Sequence, residues 1–168
     1  MAIEIRKGTA ADTEGFITFL QTVRNSMAHK EWFYLDPPDY VRRMMEQGRI
    51  ELWVATDGDR LAAVFDILLP ELEACNYGYD LNFSEADLKR VINLDNAAVH
   101  PDYRGLGLQR KMMLLAEQEL RQRGNYILLC TIHPENTFSL NNALKRGFTI
   151  EKQQEKYGSV RYILRKDI

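Results

Sequence analysis

The run Val99-His100-Pro101-Asp102-Tyr103-Arg104-Gly105-Leu106-Gly107-Leu108-Gln109-Arg110 has the clearest chemical meaning in this chain. A strand-like apolar segment ends there, a glycine-containing turn follows, and a helical pattern begins. The first amides of a helix have no intrahelical partner and lie at the positive end of its dipole. Glycines at 105 and 107 let such a backbone approach an anion with no Cβ in the way. The chemistry to expect is a pyrophosphate cradle at a helix N-terminus, with Arg104 and Arg110 adding positive reach. Taken alone, a pair of glycines before a helix also suits an ordinary tight turn. Other phosphate-binding patterns are absent: there is no G-x-x-x-x-G-K-[ST], and no G-x-G-x-x-G after the first strand of a βαβ unit.

A cradle needs a strand before it and a helix behind it, and the pattern around it supplies both. Val91 to Val99 reads as the strand. The helix should run from about Gly107 to Arg123, with Leu108, Met112, Leu115, Ala116 and Leu120 as its stripe and Gly124 as its stop. Upstream, Ile3 to Ile5 begins a strand and Thr9-x-x-Asp12 reads as a capping box. Phe16, Leu20, Val23 and Met27 then mark a helix to about Ser26. A second helix follows Asp36-Pro37-Pro38, carries Tyr40, Val41, Met44 and Met45, and stops at Gly48. Ile50 to Val54 and Leu61 to Leu69, joined by Asp57-Gly58-Asp59, read as a hairpin. Asn76 to Asp80 reads as irregular loop, and Ser84-x-x-Asp87 as the cap of a short helix. Tyr126 to Thr131 is another strand, Asn136 opens a helix ending at Lys145-Arg146-Gly147, and Phe148 to Leu164 closes the chain as a hairpin. The fold class is therefore α+β, a mixed sheet with helices packed on it, in one domain over residues 1–168.

Bulk properties narrow the function. With 168 residues and 45% apolar content the chain can bury a proper core. A net charge of -2 argues against a nucleic-acid partner, which would want a basic face. No apolar run approaches the ~18 residues that span a bilayer, and no leader-like segment opens the chain, so the expected location is cytoplasmic with no membrane partner. Cys75 and Cys130 stand far apart without a metal-like spacing, which argues against a disulfide scaffold and against a metal site.

The stretch Val99 to Arg110 resembles the acyl-CoA motif of the GNAT acetyltransferase superfamily, written [RQ]-x-x-G-x-[GA]. Arg104 and Gly107 match it, and Asn136 to Phe148 resembles the family's next helix, with its leading Asn and closing Gly-Phe. The element order agrees over the whole chain except about residues 70–90. The resemblance implies a GNAT fold with a mostly antiparallel twisted sheet, acetyl-CoA as co-substrate and an amine as acceptor. It implies that backbone groups of Ala98 and Val99 bond the pantetheine. Amides from Arg104, Gly105, Leu106, Gly107, Leu108, Gln109 and Arg110 would hold the pyrophosphate, and Asn136 and Ser139 would meet the cofactor from the following helix. Asn136 also suits a plain N-cap. There are departures. Gln109 stands where Gly or Ala is usual, and Ala143 stands where the family's tyrosine acid is expected. A CoA-binding sensor or interaction module that has lost chemistry is therefore the alternative to an N-acetyltransferase. The oligomeric state is open, a homodimer included.

Acylating an amine requires loss of its proton, since a primary amine with a pKa near ~10 is mostly charged at neutral pH. A two-residue period puts Val91, Asn93, Asp95, Ala97 and Val99 on one strand face. Asp95 is then the first choice of base, and it also reads as a structural acid; Glu71 and Glu73 are second choices that more often are just solvated. Tyr157, Tyr103 or Ser139 could stand in for the missing acid. Cys130 in an apolar strand is a poor acyl carrier. His100 and His133 precede prolines and read as turn residues, and His29 has no catalytic context. Trp32, Phe33, Tyr34, Met44 and Met45 fit either an acceptor pocket or core.

Overall fold

A computed structural model describes residues 2–168. The elements are β1 (Ile3–Lys7), α1 (Thr13–Asn25), α2 (Pro38–Glu46), β2 (Ile50–Asp57), β3 (Arg60–Leu68), α3 (Glu85–Leu88), β4 (Val91–Val99), α4 (Leu108–Arg123), β5 (Ile127–Ile132), α5 (Thr137–Lys145), β6 (Thr149–Lys156) and β7 (Ser159–Asp167). The strands form one seven-stranded sheet in the order β1-β2-β3-β4-β5-β7-β6. Every pairing is antiparallel except β4 with β5, so the expected mixed sheet is found. No helix among the described residues is long and apolar enough to cross a membrane.

The sheet divides the core in two. On one face α4 lays Leu108, Met112, Ala116 and Leu120, spaced four apart, against Phe65, Ile67, Ile92 and Leu128. Leu115, expected in that stripe, instead lies 43% exposed, because a neighbour of Ala116 is turned about 100° away on a helix. On the other face Phe16, Leu20 and Val23 of α1 and Met44 of α2 cover Leu52, Val54, Val64 and Leu68. Thr9 and Asp12 do form a capping box, but around a single 3-10 turn, Ala10–Asp12, that leads into α1. Strands β2 and β3 are buried on both faces because α4 covers one and α1 with α2 the other, so their apolar runs are continuous rather than alternating.

The segment expected as loop, Asn76 to Asp80, is ordered by one side chain. Asn76 is 1% exposed; its Nδ2 donates to the carbonyls of Glu71 (2.6 Å) and Leu88 (2.9 Å), and its Oδ1 accepts from the Gly78 amide (2.8 Å). A 3-10 turn, Tyr77–Leu81, follows and delivers Tyr77 to the sheet. Asp80 in that turn ties it to β6: its carboxylate accepts from Gln154 (2.8 Å) and Lys156 (2.9 Å), and its carbonyl from Lys152 (2.9 Å). Asn76→Ala should lower unfolding free energy by about 3 kcal/mol, since it leaves buried carbonyls and an amide unpaired. Urea denaturation checks this, and a loss under about 1 kcal/mol would mean water replaces the amide.

Candidate functional site

The cradle is built from consecutive turns. His100 accepts the Asp102 amide on Nδ1 (3.2 Å) and starts a 3-10 turn, Pro101–Tyr103, which makes it the turn residue its sequence context indicated. Tyr103 is buried and donates its hydroxyl to Asp57 (3.2 Å). The backbone then enters the left-handed region at Gly105 (φ +82) and Gly107 (φ +70), which is what glycine allows there. A Cβ at either position would meet no protein atom within 4 Å. Among the described residues the amides of Gly105, Leu106 and Gly107 make no backbone hydrogen bond, while the Gly107 carbonyl accepts from Lys111 (3.0 Å). Arg104 and Arg110 are exposed, Gln109 is partly buried, and Leu108 anchors the turn in the core. The result is a row of free N–H groups at the positive end of a 16-residue helix.

A gap in the sheet lies beside that turn. β4 pairs with β5 only over Val91–Asn93 against Ile127–Leu129. Beyond it β4 stays with β3 to Val99, while β5 stays with β7 to Ile132. The strands splay, and the backbone on the β5 side of Leu94 to Val99, Ala98 included, is left without a neighbouring strand. α5 starts after β5 at the same end, where Asn136 accepts the Ser139 amide (3.3 Å) on Oδ1 as an N-cap.

Across the sheet from α4 is a cavity of about 210 Å³ whose lining includes Asp36, Tyr77, Asn93, Asp95, Lys156 and Tyr157. Asp95 and Asn93 thus do meet in one cavity, but not on the face of Ala97 and Val99. The register with β3 shifts at Asp66/Ile67: Ile67 opposes Leu94 and Asp66 opposes Asn96, so Asp95 is the extra residue of a bulge. Strict alternation fails at that residue. Ala97 and Val99 face α4, whereas Asn93, Asp95 and Ala98 face the α1–α2 side. Asp66 holds the bulge by accepting the Asn96 amide on Oδ1 (3.1 Å). It is wholly buried, and burial together with the nearby Asp95 pushes its pKa well up.

Burial, with the charge of Asp36 second, raises the Asp95 pKa to about 7; the Tyr77 side chain acts the other way. Burial also raises Asp36. Tyr157 sits left-handed at the β6–β7 turn (φ +57), a strained conformation for that residue. Its hydroxyl donates to Tyr77 (3.1 Å) and its ring stacks on Tyr34 at 4.0 Å.

The other sequence candidates lie elsewhere. Glu71 and Glu73 are exposed beside Arg49 (4.0 and 2.8 Å). Tyr103 is bound to Asp57, and Ser139 sits in the first turn of α5. Cys130 is buried and its thiol is pushed up to about 12, unsuited to carrying an acyl group. His29 stacks on Trp32 at 4.4 Å, and His133 lies on that indole at 6.0 Å. Met44 is core; Phe33 and Met45 pack against it. Sequence reasoning missed Asp36, Lys156 and Asp66. Only Asp66 left a signal, a charge inside the apolar run Leu61 to Leu69.

Residues 20–148 match the family model described as the acetyltransferase (GNAT) family. The L-amino acid N-acyltransferase MnaT of Escherichia coli (strain K12) is 33% identical over 61 residues, 36% of this chain and 36% of that protein. The match thus spans about a third of that relative's length. A GNAT-family acetyltransferase from Streptococcus pneumoniae superposes with a TM-score of 0.75 at 16% identity, covering 99% of this chain and 100% of that one. The Salmonella typhimurium protein yncA, solved with its cofactor acetyl-CoA, gives 0.71 at 16% identity over 99% and 94%. At such identities the likeness is one of fold.

Proposed function

Because this chain belongs to the GNAT acetyltransferase family, we propose that it is an N-acetyltransferase that moves the acetyl group of acetyl-CoA directly to an amine. The amides from Gly105 onward and the side chains of Arg104 and Arg110 hold the pyrophosphate; the Arg104 amide, expected among the donors, is spent on the Pro101 carbonyl (3.3 Å). The pantetheine lies in the splay, bonded by backbone at Ala98 and Val99, with Asn136 and Ser139 alongside. The acceptor enters from the opposite face of the sheet through the cavity at Asp95, and the cytoplasm supplies the cofactor.

The chemistry follows from that division. Asp95 takes a proton from the ammonium, freeing the lone pair. The nitrogen attacks the thioester carbonyl, the C–N bond forms, and the C–S bond breaks. The departing thiolate, pKa near ~8.5, leaves with little help, and the second proton that the nitrogen sheds as the amide forms converts it to the free thiol. Of Tyr103, Ser139 and Tyr157 only Tyr157 lines the cavity, which makes it the candidate to replace the acid missing at Ala143. The observation that carries this reading is the carboxylate of Asp95 lining a cavity beside the sheet's gap, where burial raises its pKa.

Pure protein incubated with acetyl-CoA and a panel of primary amines should release thiol. Acetyl-CoA should also raise the melting temperature, because it binds the native state. A melting shift with no thiol release from any amine would favour a CoA-binding module without turnover, and no shift at all would sink the cofactor assignment.

A further inference from the structure

The cavity behind β4 is electrically lopsided. Asp36 and Asp95 share its wall with Asn93, which is 1% exposed. Asn93 Nδ2 donates to the Cys75 carbonyl (2.9 Å), which fixes the orientation of the amide. Its Oδ1 is then a buried acceptor with no partner among the described residues. These groups call for a ligand that donates and carries positive charge, and an ammonium, with three N–H donors and no acceptor, is such a group. Lys156 is the one cation among the residues lining the cavity. It is tethered to Asp80 (2.9 Å) and leans on the rings of Tyr77 and Tyr157, at 5.3 and 5.5 Å. A lysine ammonium keeps further donors once one carboxylate oxygen is satisfied.

We propose that the acceptor is a small amino carboxylate: its ammonium sits against Asp36, Asp95 and Asn93 Oδ1, and its carboxylate sits on Lys156. This rests on the transferase function proposed above and narrows its substrate. The size agrees, since a cavity of about 150 Å³ takes a benzene-sized molecule and this one, at about 210 Å³, suits a single amino acid. Exclusion follows from the same charges. A diamine or polyamine would bring its second cation against Lys156, and an amino amide would leave Lys156 without its anion.

The test compares kcat/KM for leucine, leucinamide and 1,4-diaminobutane with saturating acetyl-CoA, by thiol release. Leucine should exceed leucinamide by about tenfold or more, the scale of one charge-assisted hydrogen bond. Diaminobutane should be poorer still. Lys156→Gln should bring the leucine-to-leucinamide ratio down about tenfold at unchanged acetyl-CoA affinity, and Lys156→Glu should move the preference toward diaminobutane. Should Lys156 variants melt early, Asp36→Asn gives an independent reading: KM for leucine should rise about tenfold while KM for acetyl-CoA holds. Wild-type protein that uses leucinamide or diaminobutane as well as leucine overturns the proposal, as does a ratio untouched by Lys156→Gln. Turnover of other amines but not leucine sinks this inference alone; silence with every amine sinks the transferase function as well.

Discussion

Asp95→Asn should lower kcat by roughly 10²- to 10⁴-fold, the usual worth of a positioned general base, and leave acetyl-CoA binding intact. The change is nearly isosteric, and Asp95 faces away from the helix that carries the cradle. Wild-type kcat should rise with pH and level off above about 7, where Asp95 ionises. The groups around it that shape this limb are Asp36, Asp66, Tyr77, Tyr157 and Lys156. The variant's residual rate should lose the limb. Stability should move the opposite way. A folded-state pKa above the ordinary carboxylate value means that the folded protein holds this proton more tightly than the unfolded chain does. Stability contributed by the group is therefore present at low pH and is lost as pH rises through about 7. Asparagine cannot ionise, so at pH 8 the variant should melt higher than wild type while turning over far more slowly. A variant that keeps its turnover, or keeps the pH limb, would remove Asp95 from the reaction.

Gly107→Val should abolish measurable acetyl-CoA binding, at least about a 100-fold loss, because charge-assisted amide bonds contribute about 1.5–3 kcal/mol each and more than one is displaced. Its Cβ would meet no protein atom within 4 Å, so the side chain extends into the open space beside the unbonded amides. The intramolecular cost is therefore backbone strain at φ +70, about 1–2 kcal/mol. Gly48 provides a matched control: it has φ +66, no neighbours within 4 Å, and a place at the end of α2 away from the turn. Gly48→Val should lose similar stability and bind acetyl-CoA normally. Isothermal titration of both separates strain from ligand contact, and equal affinities would refute the cradle.

Several parts of this protein were settled by local sequence. The turn at Gly105 and Gly107 needs left-handed backbone, and the helix behind it needs apolar residues four apart; both are short-range requirements written in neighbouring residues. The same holds for the Asp57-Gly58-Asp59 hairpin, the Asn136 cap and the order of strands and helices. Asp95 was also singled out from sequence as the candidate base, although through a face assignment that the bulge overturns. Alternation counts residues along one strand, whereas the bulge is decided by the partner: Asp66 on β3 captures the Asn96 amide and displaces one residue of register.

The cavity behind β4 belongs to the tertiary structure alone. Asp36, Tyr77, Asn93, Asp95 and Lys156 come from separate segments, and no spacing along the chain records that Asp80 will tie the turn after Asn76 to β6. The raised pKa of Asp95 arises the same way, since desolvation and the field of Asp36 exist only once those segments are packed together. The conformation of a glycine turn is a property of adjacent residues and can be read in their order. Charge burial is a property of distant ones, and only the folded chain sets it.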